Sequence, residues 1–137
     1  MADADVVRPQ PTPLSEPFWA AAREGRLVLQ RCGACGAYRW TPQLLCIRCW
    51  AEDYAWTEVS GRGRIYSATV VHRPPTPAFT APYVVAVVEL EEGPLMLTRL
   101  IDCDPWEVEI GQTAAVAFTR LDDEISLYTF RLARAAG

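Results

Sequence analysis

The chain has 137 residues, half of them hydrophobic and 22% charged, with a formal net charge of −4; this suits one soluble globular unit and leaves no room for two full-size catalytic domains. All 13 basic residues are arginine, which excludes Schiff-base chemistry and a phosphate-loop lysine, and the single histidine, His72, excludes a histidine-rich metal site. The longest apolar run, Tyr83 to Val88, is strand-sized against the ~20 residues of a membrane helix, and the acidic start Met1-Ala2-Asp3-Ala4-Asp5 does not resemble a secretory signal, so a cytoplasmic protein without membrane contact is expected.

Residues 1–26 are predicted to form an N-terminal arm and a helix. Pro9, Pro11 and Pro13 alternate in the arm and favour an extended segment, either a free tail or a strap laid over a partner. Ser15-Glu16-Pro17-Phe18 opens the helix with a Ser N-cap, an acidic first turn and a proline where its missing N–H is harmless. The helix stops at Gly25, a residue suited to the C′ position. Two to three turns do not persist alone in water, so Phe18, Trp19 and Ala22 must bury against this chain or another.

Residues 27–60 are predicted to form a zinc ribbon. Leu27 to Arg31 reads as the entry strand, Tyr38 to Trp40 as the return and Tyr54 to Val59 as the exit. Two CxxC pairs, Cys32/Cys35 and Cys46/Cys49, stand ten residues apart, a spacing that lets four thiolates converge on one tetrahedral ion. A disulfide across a CxxC is strained and disfavoured in the cytosol, and redox CxxC motifs usually occur singly. Iron shares the ligand set, and the spacing leaves it open. Four thiolates close the shell that catalytic zinc keeps open, so the metal is read as structural. Cys103 is read as an incidental thiol.

Residues 61–137 are predicted to form a small antiparallel barrel. Strands are expected at Arg64–His72, Tyr83–Leu90, Leu95–Ile101, Thr113–Leu121 and Ser126–Leu132, with a Pro-rich loop from Arg73 to Pro82. Five strands and one long loop suggest an OB-fold. The fold class is therefore mainly β: helix, zinc ribbon, then a five-stranded barrel.

Three function classes compete. A single-stranded nucleic-acid binder needs a basic groove with stacking aromatics, whereas this chain is acidic and has no two adjacent basic residues. An enzyme would have to work with His72 or Cys103, and no nucleophile elbow or phosphate loop accompanies either. A binding and assembly subunit uses what remains: a Pro-rich loop, a short aromatic helix and scattered arginines that suit a few phosphates better than a polymer.

Phe18-Trp19, Gly25-Arg26-Leu27, the two knuckles, Trp56, Ser60-Gly61-Arg62-Gly63, Ile65-Tyr66-Ser67-x-Thr69-Val70-x-His72, Pro82-Tyr83-x-Val85-Ala86, Glu91-Glu92-Gly93 and Gly111 occur in one order. This set, from about residue 14 to 132, resembles the acyl-CoA-associated zinc-ribbon/OB-fold family. The chain departs from the family at Gln112, where methionine is frequent, and at Ile47, where proline commonly follows the third cysteine. The resemblance implies a rubredoxin-like ribbon and a thiolase-superfamily partner: a thiolase, an acyltransferase, or a lipid-transfer-protein-like aldolase of steroid side-chain breakdown. Some relatives travel with an enoyl-CoA hydratase-like domain. The nucleophile and acid/base groups then belong to the partner, and this chain is its accessory subunit, expected in a heterotetramer with two large subunits. Cys32, Cys35, Cys46 and Cys49 would hold structural zinc. Tyr66, His72, Arg73, Phe79 and Tyr83 would face the partner or a CoA thioester, with Phe18 and Trp19 as helix anchors. The alternatives are a single-stranded nucleic-acid binder and a hydratase partner; Tyr66 and Tyr83 suit a barrel core equally well.

Overall fold

The computed structural model describes residues 8–75 and 80–133. Its helix, α1 (Glu16–Arg23), turns Phe18, Ala21 and Ala22 inward. The C-terminal end is closed by Gly25 N–H to Ala22 O (3.0 Å) and Arg26 N–H to Ala21 O (3.0 Å). Gly25 takes φ +76° there, the left-handed conformation that makes glycine the natural stop. At the other end the expected Ser15 cap is absent. The Ser15 hydroxyl instead accepts the Thr12 N–H (2.9 Å), and Glu16 N–H reaches Thr12 O (2.8 Å). The donor that a Ser15 side-chain cap would serve, Phe18 N–H, bonds the Ser15 carbonyl instead (3.0 Å).

The ribbon is a three-stranded antiparallel sheet in the order β2-β1-β3, from β1 (Val28–Cys32), β2 (Tyr38–Arg39) and β3 (Tyr54–Glu58). β1 lies between its two neighbours, and Val28, Leu29, Gln30 and Cys32 are all buried. The barrel follows with β4 (Arg62–Val71), β5 (Tyr83–Leu90), β6 (Leu95–Leu100), β7 (Thr113–Arg120) and β8 (Ser126–Leu132), closed in the order β4-β5-β6-β8-β7. That order is the connectivity of the OB-fold. A bulge between Ile65 and Ser67 bends β4, so that Arg62–Arg64 pair with β7 while β5 is followed as far as Val71. Inside, Val84, Ala86, Val88 and Leu90 alternate along β5, and Met96, Thr98 and Leu100 along β6.

The seam between β6 and β8 is joined by one residue pair, Leu100 and Phe130. The Tyr128 hydroxyl spans the same seam by donating to Leu97 O (3.1 Å). Phe18 from α1 and Trp40 from the ribbon each pack against the Tyr128 ring with centroids 5.7 Å apart, and against each other at 4.7 Å. One core therefore runs from Phe18 through Leu27, Leu29 and Val59 into the barrel at Ile65, Met96 and Phe130. The described part of the arm also folds back on this chain. Arg8 pairs with Asp122 (2.8 Å) and Glu124 (2.9 Å) beside the β7–β8 turn. The Arg8 guanidinium, ahead of the Glu124 and Ile125 N–H groups, holds the Asp122 carboxyl down at about 2. At Arg8 the arm is thus tied to its own barrel; residues 1–7 are outside the described residues.

Gly63 sits where β4 meets both β5 and β7. A Cβ there would overlap the Glu89 carbonyl oxygen and lie 2.8 Å from Val88 Cγ1. Because backbone cannot step aside as a side chain tip can, Gly63→Ala is expected to cost about 1–3 kcal/mol, the range of overpacking. Equilibrium denaturation should read a lowered midpoint; an unchanged midpoint would mean the strands separate freely at this point.

Candidate metal centre and partner-facing residues

The two CxxC turns are near copies of each other. Cys32 N–H bonds Ala37 O (2.8 Å) and Gly36 N–H bonds Cys32 O (3.0 Å); Cys46 N–H bonds Ala51 O (3.0 Å) and Trp50 N–H bonds Cys46 O (2.8 Å). The residue after the second cysteine is left-handed in both turns, Gly36 at φ +77° and Trp50 at φ +65°. A tryptophan in that conformation is strained, which is tolerated where the surroundings over-determine the backbone.

These turns bring four sulfurs together, all within 4.8 Å of one another. Cys32 Sγ lies 3.5 Å from Cys49 Sγ, and Cys35 Sγ 3.7 Å from Cys46 Sγ. Tetrahedral zinc with bonds of ~2.3 Å places its sulfurs ~3.8 Å apart, so the separations fit. The Cys35 N–H points to Cys32 Sγ and the Arg48 N–H to Cys46 Sγ, each at 3.4 Å. The Cys35 N–H is the main influence holding the Cys32 thiol down at about 6, and the Cys49 and Arg48 N–H groups lower that of Cys46. Cys49 goes the other way: although the Ala51 N–H favours its thiolate, the neighbouring sulfurs, Cys32 first, push it up to about 11. Four sulfurs this close do not all ionise by themselves, and a divalent cation held among them would supply the missing charge. The donor set is a closed one, soft and four-coordinate, which is the chemistry of structural zinc.

The residues expected to meet a partner do not form one cluster. Phe18 is 1% exposed; it is corrected from a partner anchor to a core residue, because its ring is used up between Trp19, Trp40 and Tyr128. Trp19 stays half-buried and lines an apolar groove of about 350 Å³ with Pro9, Trp40, Leu127 and Tyr128. His72 and Arg73 are exposed just after β4, and the imidazole lies against Trp106 with centroids 5.5 Å apart. Tyr83 is half-buried at the start of β5, across from Val71, and lines a second cleft with Arg99 and Cys103. Tyr66 stands out at the β4 bulge, six residues before His72 and so roughly 20 Å away along an extended strand. Phe79 lies outside the described residues.

Sequence reasoning passed over the second knuckle as a surface. Leu44, Ile47 and Trp50 are 69%, 75% and 75% exposed. The signal was present in Leu44-Leu45-Cys46-Ile47-Arg48-Cys49-Trp50: apolar residues inside a metal-held loop have no core of their own to face.

Among the described residues no helix is long and apolar enough to cross a membrane. Residues 19–55 match the family description "ChsH2, rubredoxin-like zinc ribbon domain" and residues 56–119 match "ChsH2, C-terminal OB-fold domain". The chain is 40% identical, with a TM-score of 0.83, to a chain of a solved structure described as "Ltp2-ChsH2(DUF35) aldolase", covering 91% of this chain and 98% of that one. It is 37% identical over 101 residues to a "DUF35 domain-containing scaffold protein" of Methanothermobacter thermautotrophicus, 72% of this chain and 75% of the relative. It is also 42% identical over 128 residues to a "Probable enoyl-CoA hydratase alpha subunit" of Thermomonospora curvata; this is 92% of the chain but only 40% of the relative's length. With both halves matched and the ribbon–barrel frame shared, the chain belongs to the ChsH2 (DUF35) family of zinc-ribbon/OB-fold proteins.

Proposed function

We propose that the chain is a non-catalytic accessory subunit that binds and stabilises a thiolase-superfamily acyl-CoA enzyme and helps to shape its acyl-CoA site. The observation that carries this reading is the likeness, over nearly the whole of both chains, to a chain of the Ltp2-ChsH2 aldolase. The description of the Methanothermobacter relative as a scaffold protein supports it. So does the closed donor set: four thiolates leave zinc no position for substrate or water.

In this reading Cys32, Cys35, Cys46 and Cys49 hold zinc, which when bound cross-links the two knuckles and neutralises their thiolates. Trp19, Tyr66, His72, Arg73 and Tyr83 remain the partner- or CoA-facing residues. Their scatter over the surface suits a large interface better than one small-molecule pocket. The enzyme supplies the nucleophile and the acid/base groups, and the assembly is a heterotetramer of two small and two large chains in the cytoplasm. A second reading, partnership with an enoyl-CoA hydratase, is favoured by the name of the Thermomonospora relative.

Two measurements test these readings. Metal analysis of the purified chain should return one zinc per chain. Chelation or Cys46→Ser should abolish the folded ribbon, since metal binding to such sites contributes about 10 kcal/mol or more of folding energy. Folded protein free of zinc contradicts the assignment, and one iron per chain would replace it with an electron-carrier centre. Co-expression with a thiolase-superfamily enzyme of the same organism should give a stable two-plus-two complex by light scattering, with the large chain insoluble or inactive alone. A large chain fully stable and active without this one would refute the accessory role, and a complex formed only with a hydratase subunit would select the second reading.

A further inference from the structure

The N-terminal arm carries a ligand-like motif, and the chain itself supplies the seat. Arg8, Gln10 and Thr12 each precede a proline. Proline fixes its own φ and pushes the residue before it to extended backbone, so the arm is held near a polyproline path by its sequence. Pro9 and Pro11 are half-buried, whereas Gln10 between them is exposed. Pro9 lines the apolar groove of about 350 Å³ with Trp19, Trp40, Leu127 and Tyr128. Pro11 lines a neighbouring cleft of about 290 Å³, also walled by Trp19, together with Arg8 and Ile125. Ahead of the prolines the Arg8 guanidinium meets two carboxylates, Nε reaching Asp122 (2.8 Å) and Nη2 reaching Glu124 (2.9 Å).

An aromatic-lined groove is the surface on which extended Pro-rich segments dock, and a carboxylate pair beside it fixes which end of the segment carries the cation. The hold on the arm is light. Glu124 is 75% exposed and Asp122 42%, so the ion pairs select the occupant more than they bind it. None of residues 8–13 is buried, and residues 8–12 belong to no strand or helix. Such a segment lifts at low cost, which leaves the groove reachable without disturbing the barrel.

We infer that the Trp19 groove and the Asp122–Glu124 pair form a docking site for an extended arginine–proline segment of the large subunit, occupied in the free chain by its own residues 8–11. Docking then requires the arm to lift, so the arm competes with the partner. The inference deepens the accessory-subunit reading and relies on it for the partner's identity; the seat itself is testable without the partner.

The full zinc-loaded chain is labelled with 5-fluorotryptophan and followed by fluorine NMR, its Trp19 signal assigned through Trp19→Phe. Three blocked hexapeptides are the probes: Arg-Pro-Gln-Pro-Thr-Pro, which copies residues 8–13, the same with Glu for Arg, and the same with Ala for its first two prolines. Arg8→Glu should shift the Trp19 signal and leave those of Trp50, Trp56 and Trp106 in place. In that variant the arginine peptide should move the Trp19 signal back and bind at least fivefold more tightly than either control, a preference that shrinks as salt rises. The wild-type chain, its seat filled, should bind the same peptide at least fivefold more weakly than the variant does. A Trp19 signal blind to Arg8→Glu, equal binding of the three peptides, or a chain that unfolds on Arg8→Glu would overturn the inference.

In the co-expressed complex two charge reversals should act with opposite sign, although both free the arm. Arg8→Glu removes the competitor and should tighten association at least threefold; Glu124→Arg spoils the seat and should weaken it at least fivefold. Association indifferent to Glu124→Arg, or changed in the same direction by both variants, would overturn the docking site and leave the accessory role standing. If the wild-type chain forms no complex, the accessory reading fails and the peptide titration alone judges the seat.

Discussion

Four sulfurs drawn to within one coordination sphere are the constraint on which the rest of this chain depends. The ribbon has three short strands, one of them two residues long, and so little sheet does not bury enough apolar surface to offset the ordering of its loops. The cysteines substitute for that missing core. Their two turns fix Tyr38, Arg39, Trp40 and the 41–45 loop relative to β1, and hold Trp50 in a backbone conformation it would not otherwise adopt.

The same constraint reaches the barrel through aromatic packing. Trp40 follows directly from β2, and its ring meets Phe18 from the helix and Tyr128 from β8. The barrel is weakest at that seam, where β6 and β8 share a single register pair. Helix, ribbon and barrel therefore share one continuous core, an organisation suited to presenting fixed surfaces to another protein rather than to closing around a substrate. The potentially reactive groups fit this role. Burial, followed by the Asp102 and Asp104 charges, pushes the Cys103 thiol up and away from nucleophilic use, and His72 lies against Trp106 at the barrel surface.

Much of this was legible in the residues because it is encoded locally. Each of the five barrel strands was placed within two residues of its ends; strand patterning and Gly-Pro turns need no knowledge of tertiary neighbours. The ligand set was equally visible, since CxxC spacing is itself the geometry. What escaped depends on distant contacts. Whether Phe18 or Trp19 turns inward is decided by where Trp40 and Tyr128 arrive, and Ser15 lost its capping role to Thr12, which made a competing turn. Nothing in Tyr38-Arg39-Trp40 announces a buried arginine, because its surroundings, the Gln43 carbonyl and the Tyr54 ring, arrive from other parts of the ribbon.

The central claim is that this polypeptide organises chemistry carried out by another. Its most direct test is to incubate the purified, zinc-loaded chain alone with acyl-CoA thioesters and follow release of CoA, cleavage or hydration. The account predicts no turnover above the protein-free blank. Turnover that persists through purification and disappears on changing a single residue of this chain would contradict it.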